Sequence, residues 1–505
     1  MCVWLCLAGS ALAATPAPTV TVASGTLAGL ADGHGGALFL GVPYAAAPIG
    51  KWRWRAPRKP QPWQGIRQAV HEPPACLQNN YQWNRHAARH DSEDCLYLDV
   101  HTPKLHPSHL LPVMVWIHGG SNRAGAAAGT VYTDLVRRGI VVVAIQYRLG
   151  VLGFLSTPAL SAQQGGHSGN YGLMDQLRAL QWVRHNIARF GGDPGQVTIA
   201  GQSAGAMDVG LLTVFDSSRH LFVRAWATGG VPMFGEPVRS LQANEALGLQ
   251  LESILGVKDD PAVLRKLPAS RLLKAALKLH TPVLAANSYT WLQAVVDGRV
   301  IPESPARALA RGVAGAVPYV VSTNRIELPL AGGNAWIKRS LQQVFGAQAS
   351  AAEHFYGLGG KGGAVDARDA SYGNLLQRMG TDIRFRCPAD RVTDQYAEHG
   401  GRTWRAQMSV TSDHGPSHHS AELGFLFNNL PLDTAHPGVS LQDYFARFIK
   451  TGNPNGPGMA VWPRVRPGQG QYVDFTYRGV SAGQHLGGAI CRLQNGTGSR
   501  FSSLE

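Results

Sequence analysis

Short apolar runs punctuated by glycine and proline dominate the chain. Val113-Met114-Val115-Trp116-Ile117, residues 140–145 and residues 196–200 lack the alternation of a half-exposed strand, and they predict strands buried on both faces. Residues 39–44, 319–322 and 403–408 predict further strands, the first ended by Pro43. The period changes to that of a helix over 175–190. There Leu173, Leu177, Leu180 and Ile187 share a face, and Arg178, Arg184 and Arg189 lie mostly elsewhere. Residues 235–316, rich in Leu, Ala and Arg, predict a mostly helical insertion over the sheet. The run 421–427 predicts a short apolar helix or strand. Buried strands alternating with helices predict an α/β fold with a parallel sheet. No internal repeat or low-complexity domain interrupts it.

Chemistry enters at two strand ends. The strand 196–200 runs into Gly201-Gln202-Ser203-Ala204-Gly205, an instance of G-x-S-x-G. A strand reversing directly into a helix brings the backbone against itself, so glycine suits positions 201 and 205. The turn lifts the Ser203 hydroxyl clear of the sheet. The Ala204 N–H then stands at a helix N-terminus, aimed where an oxyanion would form. One strand earlier, Ile117 leads into His118-Gly119-Gly120-Ser121, whose backbone N–H groups can supply the rest of an oxyanion hole. A serine hydroxyl becomes nucleophilic only when a base takes its proton, and a carboxylate must orient that base. On such a scaffold the acid and then the histidine follow the serine in the chain. Glu327, just past the strand 319–322, is the best-placed acid. His414, His418 and His419 are the histidines in reach, the first two also readable as surface residues or metal ligands. No carboxylate cluster at ligand spacing supports a metal site, and no cofactor is implied.

Composition narrows the classes. With 505 residues, 44% of them hydrophobic, the chain can bury a large core, and residues 15–505 are expected to form one domain. The formal charge of +14 comes from scattered Lys and Arg without a like-charged block. That argues for a basic surface, or weak attachment to anionic envelopes, and against nucleic-acid binding. Residues 1–14, MCVWLCLAGSALAA, are apolar and end in small residues. They predict a secretory leader, although a basic start is absent and a buried N-terminal strand is the other reading. No later stretch is long and apolar enough to cross a bilayer. Cys2 and Cys6 fall in the leader. Cys76, Cys95, Cys387 and Cys491 remain, an even number as expected in an oxidising compartment, and spacing does not choose among their three connectivities.

FGGDPGQVTIAGQSAGA matches the nucleophile signature of the type-B carboxylesterases, and EDCLYLDV matches their second signature, around the first disulfide. WIHGG, QYRLGVLGFL and GNYGLMDQLRALQWVRHNIARF fall in family order, VVDGRVIP, STNRIE and HSAEL continue it, and the chain resembles that family from Gly25 to Cys491. These enzymes are cholinesterase-like α/β-hydrolases. The resemblance implies a large, mostly parallel central sheet flanked by helices, with helical insertions covering the pocket. It implies a triad of Ser203, Glu327 and His419, an oxyanion hole of Gly119, Gly120 and Ala204, and bridges Cys76–Cys95 and Cys387–Cys491. It also implies hydrolysis of a small-molecule carboxylic ester through an acyl-enzyme, and it leaves the oligomeric state open. The leader and the cysteine count point to a secreted or periplasmic protein. Three departures matter. Gln202 stands where many members carry Glu, which removes a charge beside the nucleophile and argues against cationic choline esters. Ile326 replaces an acidic residue, and HGGS replaces three glycines. Trp83, in the short loop between Cys76 and Cys95, is a wall of the pocket or a packing residue. A non-catalytic binding protein on this fold would have lost a triad member, and all three positions are filled. A lipase would want a mobile apolar lid, for which 235–316 is too polar. Lactones and carbamates remain alternative substrates.

Overall fold

The computed structural model describes residues 17–215, 217–232, 239–279, 294–312, 317–330, 334–358, 370–432 and 438–496. The leader expected at 1–14 lies outside them. An eleven-stranded sheet forms the centre. Seven neighbouring strands run parallel, in the spatial order Val141–Ile145, Leu111–Ile117, Gly192–Gln202, Arg224–Thr228, Tyr319–Asn324, Thr403–Met408 and Gln471–Thr476. Antiparallel strands complete both edges, with Tyr97–Thr102, Ala37–Pro43 and Leu30–Ala31 on one side and Gly479–Gln484 on the other.

The strands Leu111–Ile117 and Val141–Ile145 are apolar throughout because both their faces are covered. Val113, Val115 and Ile117 point into one core with Phe190 and Leu180, whereas Met114 and Trp116 point into another with Trp226 and Phe445. Alternation is present but hidden, since each face meets an apolar layer. A third apolar cluster, around Leu341, Phe345 and Met379, contains the bonded pair Cys387 and Cys491. The other bridge, Cys76–Cys95, closes the small loop. Both pairings are those the resemblance implies.

The helix expected over 175–190 spans Tyr171–Asn186 and tightens into a 3₁₀ turn over Ile187–Phe190, ended by Gly191 at φ 81°. It starts four residues earlier than expected, so Asp175 lies inside it. Its carboxylate is buried and takes Arg148 Nε at 2.7 Å and Nη2 at 2.8 Å. The described part of the insertion is mostly helical, over Leu241–Leu255, Pro261–Lys266, Ala269–Ala276 and Pro305–Ala310, with non-helical chain over 294–304. Residues 235–238, 280–293 and 313–316 lie outside the described set. The run 421–427 resolves to a short helix, Leu423–Phe427.

Parallel strands all present their C-terminal ends at one edge, and the functional side chains follow those ends. Ile117 lies opposite Gly201, Gln202 opposite Thr228, Thr228 opposite Ser322 and Asn324 opposite Met408. That register brings together loops far apart in the chain. Among the described residues no helix is long and apolar enough to cross a membrane.

Candidate active site

The strand Gly192–Gln202 ends at Ser203, and the helix Ala204–Val214 begins immediately after it. Ser203 has φ 57° and ψ −124°, a conformation a non-glycine residue adopts only under constraint. Its N–H donates to Thr228 O at 2.9 Å. A β-carbon at position 205 would sit 2.1 Å from Ile117 O, and one at 201 would sit 2.5 Å from Gly205 O. Both glycines are therefore required by close backbone approach. Ala204 opens the helix, so its N–H is among those without an intrahelical acceptor.

His419 bridges the serine and the acid. Its Nε2 lies 2.9 Å from Ser203 Oγ and its Nδ1 lies 2.5 Å from Glu327 Oε2. The Glu327 side chain is fully buried. Its other oxygen accepts from the Asn324 backbone N–H at 2.6 Å, and its own N–H donates to Thr381 Oγ1 at 2.9 Å. The carboxylate is thus held by the strand Tyr319–Asn324, and the Glu327 backbone by the helix Leu375–Thr381. Burial pulls the His419 pKa down. The charge and hydrogen bond of Glu327, with help from Glu422, outweigh that and leave it above 6.5. Gln202 Nε2 lies 3.2 Å from the same His419 nitrogen, beside the serine hydroxyl.

A cavity of about 580 Å³ opens over these groups. Gly119, Gly120 and Gln202 line it together with Ser203 and His419, and Trp83, Trp116, Leu328, Leu423 and Phe427 form an apolar wall. Trp83 is 60% exposed, at the rim. A β-carbon at position 119 would come within 2.6 Å of Gln202 O and 2.9 Å of Ser203 Cβ, so the glycine loop passes in contact with the nucleophile. His118 also faces this cavity, but burial pushes its pKa down to about 4 and its Nδ1 is engaged by Gly119 O at 2.8 Å. It stays neutral, and its buried Nε2 has no hydrogen-bond partner among the described residues. A wider cleft of about 800 Å³, around Asp32, His101 and Tyr132, shares Phe427 but contains neither Ser203 nor His419.

The predicted residues Ser203, Glu327 and His419 meet at one point, and Gly119, Gly120, Gln202 and Trp83 surround it. The other two histidines do not join them. His414 stacks on Tyr477 at 4.6 Å, and His418 is exposed with Nδ1 on His419 O. Sequence reasoning missed the support behind the acid. Glu422 is fully buried and accepts from Thr228 Oγ1 at 2.8 Å and from Asn324 Nδ2 at 2.7 Å. Its signal was its place three residues after His419, inside an apolar run where a free carboxylate is out of character. Among the described residues, no group of three or more His, Cys, Asp or Glu side chains is placed to hold a metal ion.

The family profile described as Carboxylesterase family matches residues 16–494. A fumonisin B1 esterase of Sphingopyxis macrogoltabida is 32% identical over 483 residues, 89% of this chain and 85% of that one. The liver carboxylesterase of Sus scrofa is 32% identical over 485 residues, 85% and 83% of the two chains. Among solved structures, a PNB esterase superposes with a TM-score of 0.79 at 27% identity, covering 94% of this chain and 99% of its own. A Geobacillus stearothermophilus carboxylesterase gives 0.78 at 27% identity, with the same coverage.

Proposed function

The chain belongs to the carboxylesterase family and is a carboxylic ester hydrolase, and from that premise we propose that it works through a Ser203–His419–Glu327 triad and an acyl-enzyme. The observation that carries this reading is the single imidazole bridging Ser203 Oγ at 2.9 Å and Glu327 Oε2 at 2.5 Å. Ser203 Oγ attacks the ester carbonyl while His419 Nε2 takes its proton. Glu327 holds Nδ1–H and offsets the charge of the imidazolium that forms. The tetrahedral oxyanion is received by the N–H groups of Gly119, Gly120 and Ala204. When it collapses, His419 gives its proton to the leaving alcohol. Water then attacks the acyl-serine with His419 again as base, and the acid is released.

Among the described residues, the cavity lining has no side chain with a fixed charge. This supports neutral esters with apolar or aromatic groups as substrates over cationic choline esters. The two disulfides support an oxidising compartment, and with the leader-like first residues they support export to the periplasm or the medium.

Labelling with a fluorophosphonate tests the assignment. A single adduct on Ser203, found by peptide mapping, should accompany complete loss of activity. Ser203→Ala should lower kcat by about 10⁴-fold or more while the protein stays folded. An adduct on another residue, or full turnover by Ser203→Ala, overturns it.

A further inference from the structure

Ser121 and Asn122, which follow the glycine pair, have φ of 56° and 54°. Two consecutive non-glycine residues in the left-handed region are costly and persist only where the surroundings over-determine them. Those surroundings are polar and closed to water. Asn122 Nδ2 donates to Asp208 Oδ1 at 3.1 Å, and the Tyr147 hydroxyl shares its proton between Asn122 Oδ1 at 3.1 Å and His118 O at 2.7 Å. The Asn122 carbonyl accepts from Gly150 N at 2.7 Å. Gln176 Nε2 donates to the other Asp208 oxygen at 2.6 Å. Asn122, Asp208, Tyr147 and Gln176 are all at most 3% exposed.

Asp208 belongs to the helix Ala204–Val214, which begins with the Ala204 N–H, whereas Asn122 belongs to the loop that carries Gly119 and Gly120. The bond between them joins the two halves of the oxyanion hole beneath its floor. We propose that Asp208, through Asn122, is a positioning residue that holds the Gly119 and Gly120 N–H groups in register with that of Ala204. This rests on the reading of those three groups as the oxyanion site. Asp208 touches neither substrate nor Ser203 and acts only on where the donors point. Burial pushes its carboxyl up to about 7 against the hydrogen bonds of Gln176 and Asn122, so its tie is not that of a solvated surface acid.

The structure also indicates which replacement the site can absorb. Gln176 Oε1 is buried without a hydrogen-bond partner. If its amide turns over, it can accept from a carboxamide at 208 whose oxygen still receives Asn122. The test is steady-state hydrolysis of p-nitrophenyl butyrate at pH 8, with circular dichroism and melting curves on each variant. Asn122→Ala and Asp208→Ala should lower kcat by about 100-fold, the size of one lost oxyanion donor, with KM within about threefold of the starting protein. Asp208→Asn should recover most of that loss. If Asn122→Ala does not fold, Asn122→Gly serves, because glycine accepts the left-handed backbone without the tie. A folded Asn122 variant with kcat within about threefold of the starting protein overturns the proposal. So does a loss carried by KM alone. Failure of the underlying triad reading is separate, since it is seen as turnover surviving in Ser203→Ala.

Discussion

Replacing Glu327 by its amide isostere should disable the site through the wrong tautomer and leave its shape unchanged. Glu327 Oε1 faces a donor that cannot turn away, the backbone N–H of Asn324 at 2.6 Å. The amide of Glu327→Gln must therefore set its oxygen there, since the opposite orientation opposes two donors in a buried site. Its NH₂ group then points at His419 Nδ1, now 2.5 Å from a carboxylate oxygen. Nδ1 becomes an acceptor, the ring proton moves to Nε2, and Nε2 can no longer receive the proton of Ser203. Inverting the tautomer of a triad histidine costs about 10⁴-fold in kcat, or about 5.4 kcal/mol at 1.36 per decade. Glu327→Ala has no opposing donor, so it should fall no further than Glu327→Gln. Initial rates on p-nitrophenyl butyrate between pH 7 and 9, normalised to folded protein, decide the matter. A folded Glu327→Gln enzyme within about tenfold of the starting kcat refutes the reasoning, and so does one far more active than Glu327→Ala.

Two further outcomes follow from the same structure. Since His419 sits above 6.5, kcat/KM should rise with pH through a midpoint above that value, and a midpoint well below 6 would contradict it. The same shift means that protonated His419 stabilises the fold fully below pH about 6.5, an increment lost as pH rises through the folded value. The bridges should differ in weight. Chain entropy assigns about 4.7 kcal/mol to Cys387–Cys491, which spans 104 residues, and about 3.2 to Cys76–Cys95, which spans 19. Melting curves of Cys387→Ala and Cys76→Ala should therefore show the larger drop in the first, and the reverse order would refute the ranking. Cys76→Ala should alter ester selectivity more, because its loop carries Trp83 on the cavity rim.

What could be read from the sequence depended on whether a signal was local. Val113 to Ile117 and Ile199 stood out because burial on both faces demands apolar residues without a break. The strand Arg224–Thr228 sits equally deep but begins with an arginine, whose Nη2 finds Gln196 Oε1 at 2.7 Å, so its sequence RAWAT does not read as core. The strand Gln471–Thr476 alternates and the edge strand Gly479–Gln484 stays half-open, and their polar residues hide them. At the site, Ser203 was legible because strand, turn and helix are contiguous. Glu327 was singled out by its place just past a strand end and His419 by family spacing, since a lone His carries no mark of what the sheet register will place beside it. Asn122 and Asp208 were invisible for the same reason. Each is an ordinary polar residue, and only folding brings together two positions 86 residues apart.

One imidazole has two buried carboxylates near it, and the hydrogen bonds decide what each does. Glu327 reaches Nδ1 and is braced by the Asn324 backbone. Glu422 spends its oxygens on Thr228 and on the Asn324 side chain, and it does not reach the ring. Burial first, and then the charge of Glu327, raise the Glu422 pKa. The charge of Glu422 adds to that of Glu327 in raising the His419 pKa. Asn324 stands between the two acids, giving its backbone N–H to Glu327 and its amide to Glu422 at 2.7 Å and to Glu327 at 3.4 Å. Ser322 Oγ, 2.8 Å from Thr228 Oγ1, steadies the hydroxyl that Glu422 receives. The ends of two adjacent strands therefore set how much charge the base sees, and base strength at this site is as much a property of the sheet register as of the triad itself.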